Sequence, residues 1–189
     1  MDDVFAVQTD VAKQVADALR VRILTPEKER IEKKPTESTI AYTLYLKGRF
    51  LWNKRGIDDL KEAAGCFEQA VKEDPTFALG YVGIADCAGL LRNNWGIDPK
   101  GNLEKAKMMA ARALELDNGL GEAHATKGLI LWQEYDLQRA EGEFKRAIEL
   151  KLSYASAHQW YSSVLLAQLR WDESLKQIEK AVELIRFRQ

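Results

Sequence analysis

The chain has almost no net charge. Lys and Arg number 28 against 29 Asp and Glu, and the formal charge over 189 residues is −1. The two signs are interleaved, so there is no electrostatic footprint for nucleic acid or for an anionic membrane. The densest cluster, Lys28-Glu29-Arg30-Ile31-Glu32-Lys33-Lys34, mixes both signs and reads as a solvated helix face. No apolar run approaches the ~20 residues that span a bilayer. Met1-Asp2-Asp3-Val4 has neither the basic nor the apolar region of a signal peptide. Cysteine is scarce: Cys66 and Cys87 each fall inside a helical pattern, and neither belongs to a Cys-x-x-Cys. That usage favours buried small hydrophobes in a reducing compartment over a disulfide, and the cytoplasm is the expected location.

Groups for chemistry are also lacking. There is no Gly-x-x-x-x-Gly-Lys phosphate loop, no Gly-x-Ser-x-Gly elbow and no His-Glu-x-x-His. His124 and His158 stand 34 residues apart. No carboxylate or cysteine recurs beside both, so packing between helices is expected and a metal is not. The pair Asp58-Asp59 suits a helix start, where anions meet the dipole. The sequence therefore predicts no active site, no cofactor and no metal.

What is present is an ordinary globular mixture, 46% hydrophobic and 30% charged, with room for one domain or one short repeat array. Four segments superimpose: Ala63 to Ala70 through Phe67, Ala106 to Ala113 through Ala110, Ala140 to Ala147 through Phe144, and Ser174 to Ala181 through Ile178. Their i, i+4, i+7 spacing is one face of a helix, and small residues there admit a neighbouring helix. Upstream of each lies a second helical pattern centred on Gly48, Ala85, Gly128 and Ser162. Gly128 to Ser162 and Ala147 to Ala181 both span 34 residues, two landmarks that agree on one period. Asp98-Pro99 and Thr25-Pro26 supply an N-cap and a first-turn proline, while Asp74-Pro75 ends the helix before it.

This pattern resembles the tetratricopeptide family. Residues 121–154 match without a gap through Gly128, Ala140, Phe144 and Ala147, and residues 155–188 match through Ser162, Ser174, Ile178 and Ala181. The first two hairpins fit with insertions between their helices, the larger around Arg92 to Pro99. Lys47 and Lys127 stand where the family prefers leucine. The resemblance implies an all-α, right-handed solenoid of antiparallel helix pairs over 36–189, with hairpins at about 39–76, 77–119, 120–153 and 154–189.

Residues 1–35 lie outside the repeats. Val4, Val7, Val11, Val15 and Leu19 form an apolar stripe at helical spacing, and helices are expected near 3–24 and 26–33. The runs Asp3 to Ala12 and Ala16 to Val21, followed by Lys34-Pro35-Thr36 and Ala41 to Gly48, resemble the end of a TolB-like domain and the first repeat after it in bacterial signalling regulators. In that group a cyclase, winged-helix or kinase effector lies upstream, which implies a piece of a larger protein; a simple capping helix is the alternative.

The resemblance further implies that each first helix lines a concave face. Its inward positions include Tyr42, Tyr45, Arg49 and Trp52; Leu79, Val82 and Asp86; Glu122, Leu129, Trp132 and Gln133; and Gln159 and Ser163. A groove of this composition suits a peptide or protein partner, because Tyr, Trp and Arg dominate interface energetics. Filling the space between repeats is the competing role for Trp52 and Trp132. Tyr45 and Arg49 stand where the chaperone-binding subclass carries lysine and asparagine, so that role is not implied. The expected function is a non-catalytic interaction scaffold, with self-association through exposed terminal helices, as in a homodimer, as the alternative. At the C-terminal end, Leu175, Ile178, Val182 and Ile185 are expected to pack inward, and Trp171, Leu184 and Phe187 to be left uncovered.

Overall fold

The computed structural model describes Val7, Asp10, Val11 and Gln14, and then residues 34–186, apart from the side chains of Asn93 and Asn94. The stripe positions Val4, Val15 and Leu19, the helix expected near 26–33, and Phe187 lie outside the described residues. The four described N-terminal residues are helical, and the Gln14 amide donates to the Asp10 carboxylate (2.7 Å). The chain divides into two compact units, Met1–Glu37 and Ser38–Gln189.

The second unit holds eight helices: α1 (Thr39–Lys54), α2 (Ile57–Glu73), α3 (Ala78–Trp95), α4 (Pro99–Leu116), α5 (Gly121–Gln133), α6 (Leu137–Leu150), α7 (Ala155–Ala167) and α8 (Trp171–Arg186). No strand occurs among the described residues. No helix among them is long and apolar enough to cross a membrane. The insertion of the second hairpin is absorbed as helix: α3 and α4 run 18 residues each, against 13 and 14 in α5 and α6.

Local chemistry sets the ends. The Ser38 hydroxyl accepts from the Ala41 amide (3.1 Å) at the start of α1, and Asp98, with Pro99 behind it, accepts from Gly101 (3.2 Å) at the start of α4. Between the helices of every hairpin the chain turns through a left-handed residue that is not glycine: Arg55 (φ 64°), Asp98 (φ 39°), Tyr135 (φ 65°) and Leu169 (φ 61°). The second hairpin also uses Gly96 (φ 61°), which bears no Cβ penalty there.

Each helix packs on its chain neighbours. In addition α1 touches α3, α3 touches α5 and α5 touches α7, whereas the second helices of the hairpins make no such contacts with one another. The first helices therefore form an inner layer and the second helices an outer one. The repeated alanines Ala63, Ala70, Ala106, Ala113, Ala140, Ala147 and Ala181 are all buried, because only small side chains let the two layers approach. Between them sits a wedge. The Phe67 ring fills the space above Gly48 of its own hairpin and Gly83 of the next, so closely that a Cβ at either glycine would fall 2.6 Å from it. Phe144 does the same over Gly128 and stacks on Tyr161 of α7, with ring centroids 6.2 Å apart. In the second hairpin the wedge is only Ala110, and a hollow of about 260 Å³ opens beside it between α4 and α5.

Lys47 and Lys127 leave the core. Lys47 pairs with Glu62 (3.1 Å) and Lys127 with Glu143 (2.6 Å). Cys66 and Cys87 are buried free thiols. One expectation is corrected at the C-terminal end. Leu175, Ile178, Val182 and Ile185 do not pack inward; all four are exposed with Trp171, while Ser174, Gln177, Ala181 and Leu184 take the inward side. The small-residue face is the one that meets α7, so the larger apolar residues fall on the opposite side of α8.

Candidate functional site

The inner layer brings the first helices of all four hairpins around one concave face. Its floor is an ion pair: the Arg49 guanidinium donates to the Asp86 carboxylate (3.2 Å), and the Thr126 hydroxyl donates to the other oxygen of Asp86 (2.6 Å). These three residues come from α1, α3 and α5, so one carboxylate ties three hairpins. Asp86 is fully buried. Burial pushes its carboxyl above the usual range, against the opposing pull of Arg49 and the Thr126 hydroxyl.

Trp52 lies beside this pair. The Arg49 guanidinium sits 4.0 Å from its ring and the Arg55 guanidinium 3.5 Å, while Trp160 of α7 meets it edge-on at 6.5 Å. The contact joins the first hairpin to the fourth across the concave side. Arg55 reaches the ring because its left-handed backbone turns the side chain back over α1. Its guanidinium is half-buried and forms no ion pair among the described residues; burial lowers its pKa. Further along, Glu122 is paired with Lys151, Arg92 donates to the Gln133 side chain (3.2 Å), and Gln133 donates to the Gly89 carbonyl (3.2 Å). Among the described residues, three buried polar atoms have no hydrogen-bond partner: Trp52 Nε1, Arg92 Nε and the Tyr154 hydroxyl. All three can donate.

The predicted groove residues separate into two groups. Tyr42, Trp52, Val82, Asp86, Glu122, Leu129 and Gln133 are buried, which removes them as a contact surface: they are the floor and the core beneath it. Trp52 in particular fills space between repeats, at 1% exposure. Tyr45, Arg49, Leu79, Trp132 and Ser163 are half-buried and Gln159 is exposed, so these inner-layer residues keep some accessible surface. Tyr45 also belongs to an aromatic cluster, 5.7 Å from Phe67 and 5.4 Å from Phe77, and burial pushes its hydroxyl pKa up.

Sequence reasoning missed Arg55, Tyr154 and Trp160. Arg55 lies in a turn, outside any helical face, and Trp160 is brought to Trp52 by the curvature of the whole array. The histidines anchor loops. His124 lies 2.7 Å from the Glu143 carboxylate and 3.0 Å from the Asn118 carbonyl; His158 repeats this with Gln177 (2.7 Å) and the Leu152 carbonyl (3.3 Å).

No protein-family model matches the chain. The protein of Rhizobium meliloti (strain 1021) named "Putative adenylate cyclase 3" is 28% identical over 142 residues, covering 75% of this chain and 24% of that protein. The chain thus spans about a quarter of that relative's length. Among solved structures, a thermophilic TPR protein of Thermus thermophilus is 20% identical with a TM-score of 0.63, over 96% of this chain and 91% of that one. The first TPR of Spaghetti (RPAP3), bound to an HSP90 peptide, is 18% identical with a TM-score of 0.53, over 72% of this chain and 99% of that one. Four helix pairs with an inner layer of first helices, wedged by Phe67 and Phe144, have the fold of tetratricopeptide-repeat proteins.

Proposed function

We propose that the chain is a non-catalytic scaffold that holds a segment of another protein on its concave face, within a larger bacterial signalling protein. The observation that carries this reading is the Arg55 guanidinium, which is half-buried over Trp52 and forms no salt bridge among the described residues, Asp86 attracting it only from beyond ion-pair distance. A hydrogen bond to a charged group contributes about 1.5–3 kcal/mol, so an incoming carboxylate gains most at this position. The partner of choice is therefore an extended or helical segment rich in carboxylates, lying along Tyr45, Arg49, Arg55, Trp132, Gln159 and Ser163. The likeness in fold to a TPR domain solved with a bound HSP90 peptide supports peptide binding as the mode. The signalling context is supported by the likeness to the Rhizobium protein.

A photo-crosslinking side chain tests the site. It is placed at Gln159 on the concave face and, separately, at Met108 on outer helix α4, both exposed. The expected result is one recurrent adduct from Gln159 and none from Met108. Adducts from Met108 alone would overturn the concave assignment. For the context, the coding sequence upstream of Met1 should carry an effector domain in frame.

A further inference from the structure

The two ends of the repeat array carry matching halves of the junction that recurs inside it. On α8, Trp171, Leu175, Ile178, Val182 and Ile185 follow one another at steps of four and three residues and are all exposed. The 34-residue step places Leu175 and Ile178 where α6 has Glu141 and Phe144. In α6 those residues receive the next hairpin: Phe144 stacks on Tyr161, and Glu141 accepts from the Tyr161 hydroxyl (2.9 Å). On α8 the same face is more apolar and uncovered.

Helix α1 shows the other half. Leu46 and Phe50 are 44% and 65% exposed. Their counterparts in the later first helices are Gly83 and Cys87, Thr126 and Ile130, and Trp160 and Val164, all buried; Gly83 lies under Phe67 of the preceding hairpin, Thr126 bonds Asp86 of the preceding hairpin, and Ile130 packs with Ala106 and Ala110. The match between the two faces is apolar, because the charges beside them are already paired within the chain: Lys47 with Glu62 (3.1 Å) and Lys54 with Asp59 (3.2 Å) at α1, and Glu173 with Arg170 (2.7 Å) and Lys180 with Glu183 (2.9 Å) at α8. In the antiparallel arrangement that joins α6 to α7, Leu46 and Phe50 of one copy would meet the apolar row on α8 of another.

We propose that a second copy of this chain occupies the α8 face, docking its α1 there so that copies join head to tail and the solenoid continues from one molecule into the next. The contact is heterologous: each added copy presents a new α8 face, and the assembly stays open and grows with concentration. This goes beyond peptide binding on the concave side, which uses other residues.

The test is sedimentation of the full chain over a wide concentration range, with Leu175→Glu on α8, Phe50→Glu on α1, and an equimolar mixture of the two. Both positions are exposed, and unchanged circular dichroism melting confirms that each variant folds. The expected result is growth beyond a dimer for the unaltered chain and a monomer for each variant alone. The mixture should give a dimer that grows no further, because one intact α8 face meets one intact α1 face. An unaltered chain that stays monomeric throughout overturns the proposal. So does self-association of the Phe50→Glu variant, which would mean that α8 pairs with α8, and so does a mixture that stays monomeric. Failure of peptide capture at Gln159 leaves all of these readings unchanged.

Discussion

Arg49 and Asp86 form an ion pair between the first and second hairpins, 3.2 Å apart, with Asp86 fully buried and the Arg49 side chain 20% exposed. Removing one partner of such a pair strands the other charge, at a cost of roughly 3–5 kcal/mol. Asp86→Ala should lower stability by about that amount, read from urea denaturation midpoints, and should also loosen Thr126. Asp86→Asn keeps the shape and one acceptor, and should cost distinctly less. A near-neutral Asp86→Ala would mean that the pair fixes register without contributing stability.

Glycine substitutions should divide by place. The Phe67 ring cannot yield, being fully buried, so Gly48→Ala and Gly83→Ala should each lose ~1–3 kcal/mol through overpacking. Gly65 in α2 and Gly142 in α6 have open space where a Cβ would stand. Gly65→Ala and Gly142→Ala should each gain ~0.5–1 kcal/mol from helix propensity and a less free unfolded chain. Thermal melts of the four variants check the split.

The helix pairs, the period and the wedge residues Phe67 and Phe144 were all legible in the sequence, because small residues at seven-residue spacing have one physical use on a helix. What could not be read was depth. A stripe that points inward becomes a surface or a core according to how tightly the array coils, and that curvature is a sum over packing angles at three junctions. Hence Trp52, which reads as a groove aromatic, is closed off by Trp160 from the far end of the array. Arg55 escaped notice because its role follows from a single left-handed residue in a turn. On α8 the apolar stripe was plain, and its direction was misjudged because apolar residues ordinarily face their own hairpin.

The left-handed turns give a third prediction. Leu169 adopts φ 61° and is 68% exposed, so its side chain contributes little packing to offset the backbone cost. That conformation costs ~1–2 kcal/mol for a residue with a Cβ, and glycine loses ~0.5–1 kcal/mol of it again in chain entropy. Leu169→Gly should therefore stabilise by ~0.5–1 kcal/mol in calorimetry. Destabilisation would show that Leu169 makes contacts worth more than the turn strain.

Acid should loosen the third and fourth hairpins through Glu141. Burial works against its ionisation, but hydrogen bonds from Lys145, Arg170, Tyr161 and Gln168 outweigh it and hold the carboxyl at about 2. The folded value lies below the unfolded one, so this contribution is fully present above about 4.5 and is lost as the pH falls toward about 2. Its size is on the order of 1 kcal/mol once solvent screening is allowed for. Denaturation midpoints measured from neutral pH downward should fall in this window for the native chain. In Glu141→Gln the part of that fall due to this group should vanish.

The central claim, that the concave face holds an acceptor-rich segment through Arg55, is tested most directly by one affinity comparison. The segment captured at Gln159 is titrated against the unaltered chain, Arg55→Ala and Met108→Ala. Losing a charge-assisted contact should weaken binding at least about tenfold, or ~1.4 kcal/mol, for Arg55→Ala, and Met108→Ala should bind as the unaltered chain does. Unaltered affinity in Arg55→Ala together with weakened binding in Met108→Ala would contradict the account and move the binding surface to the outer helices.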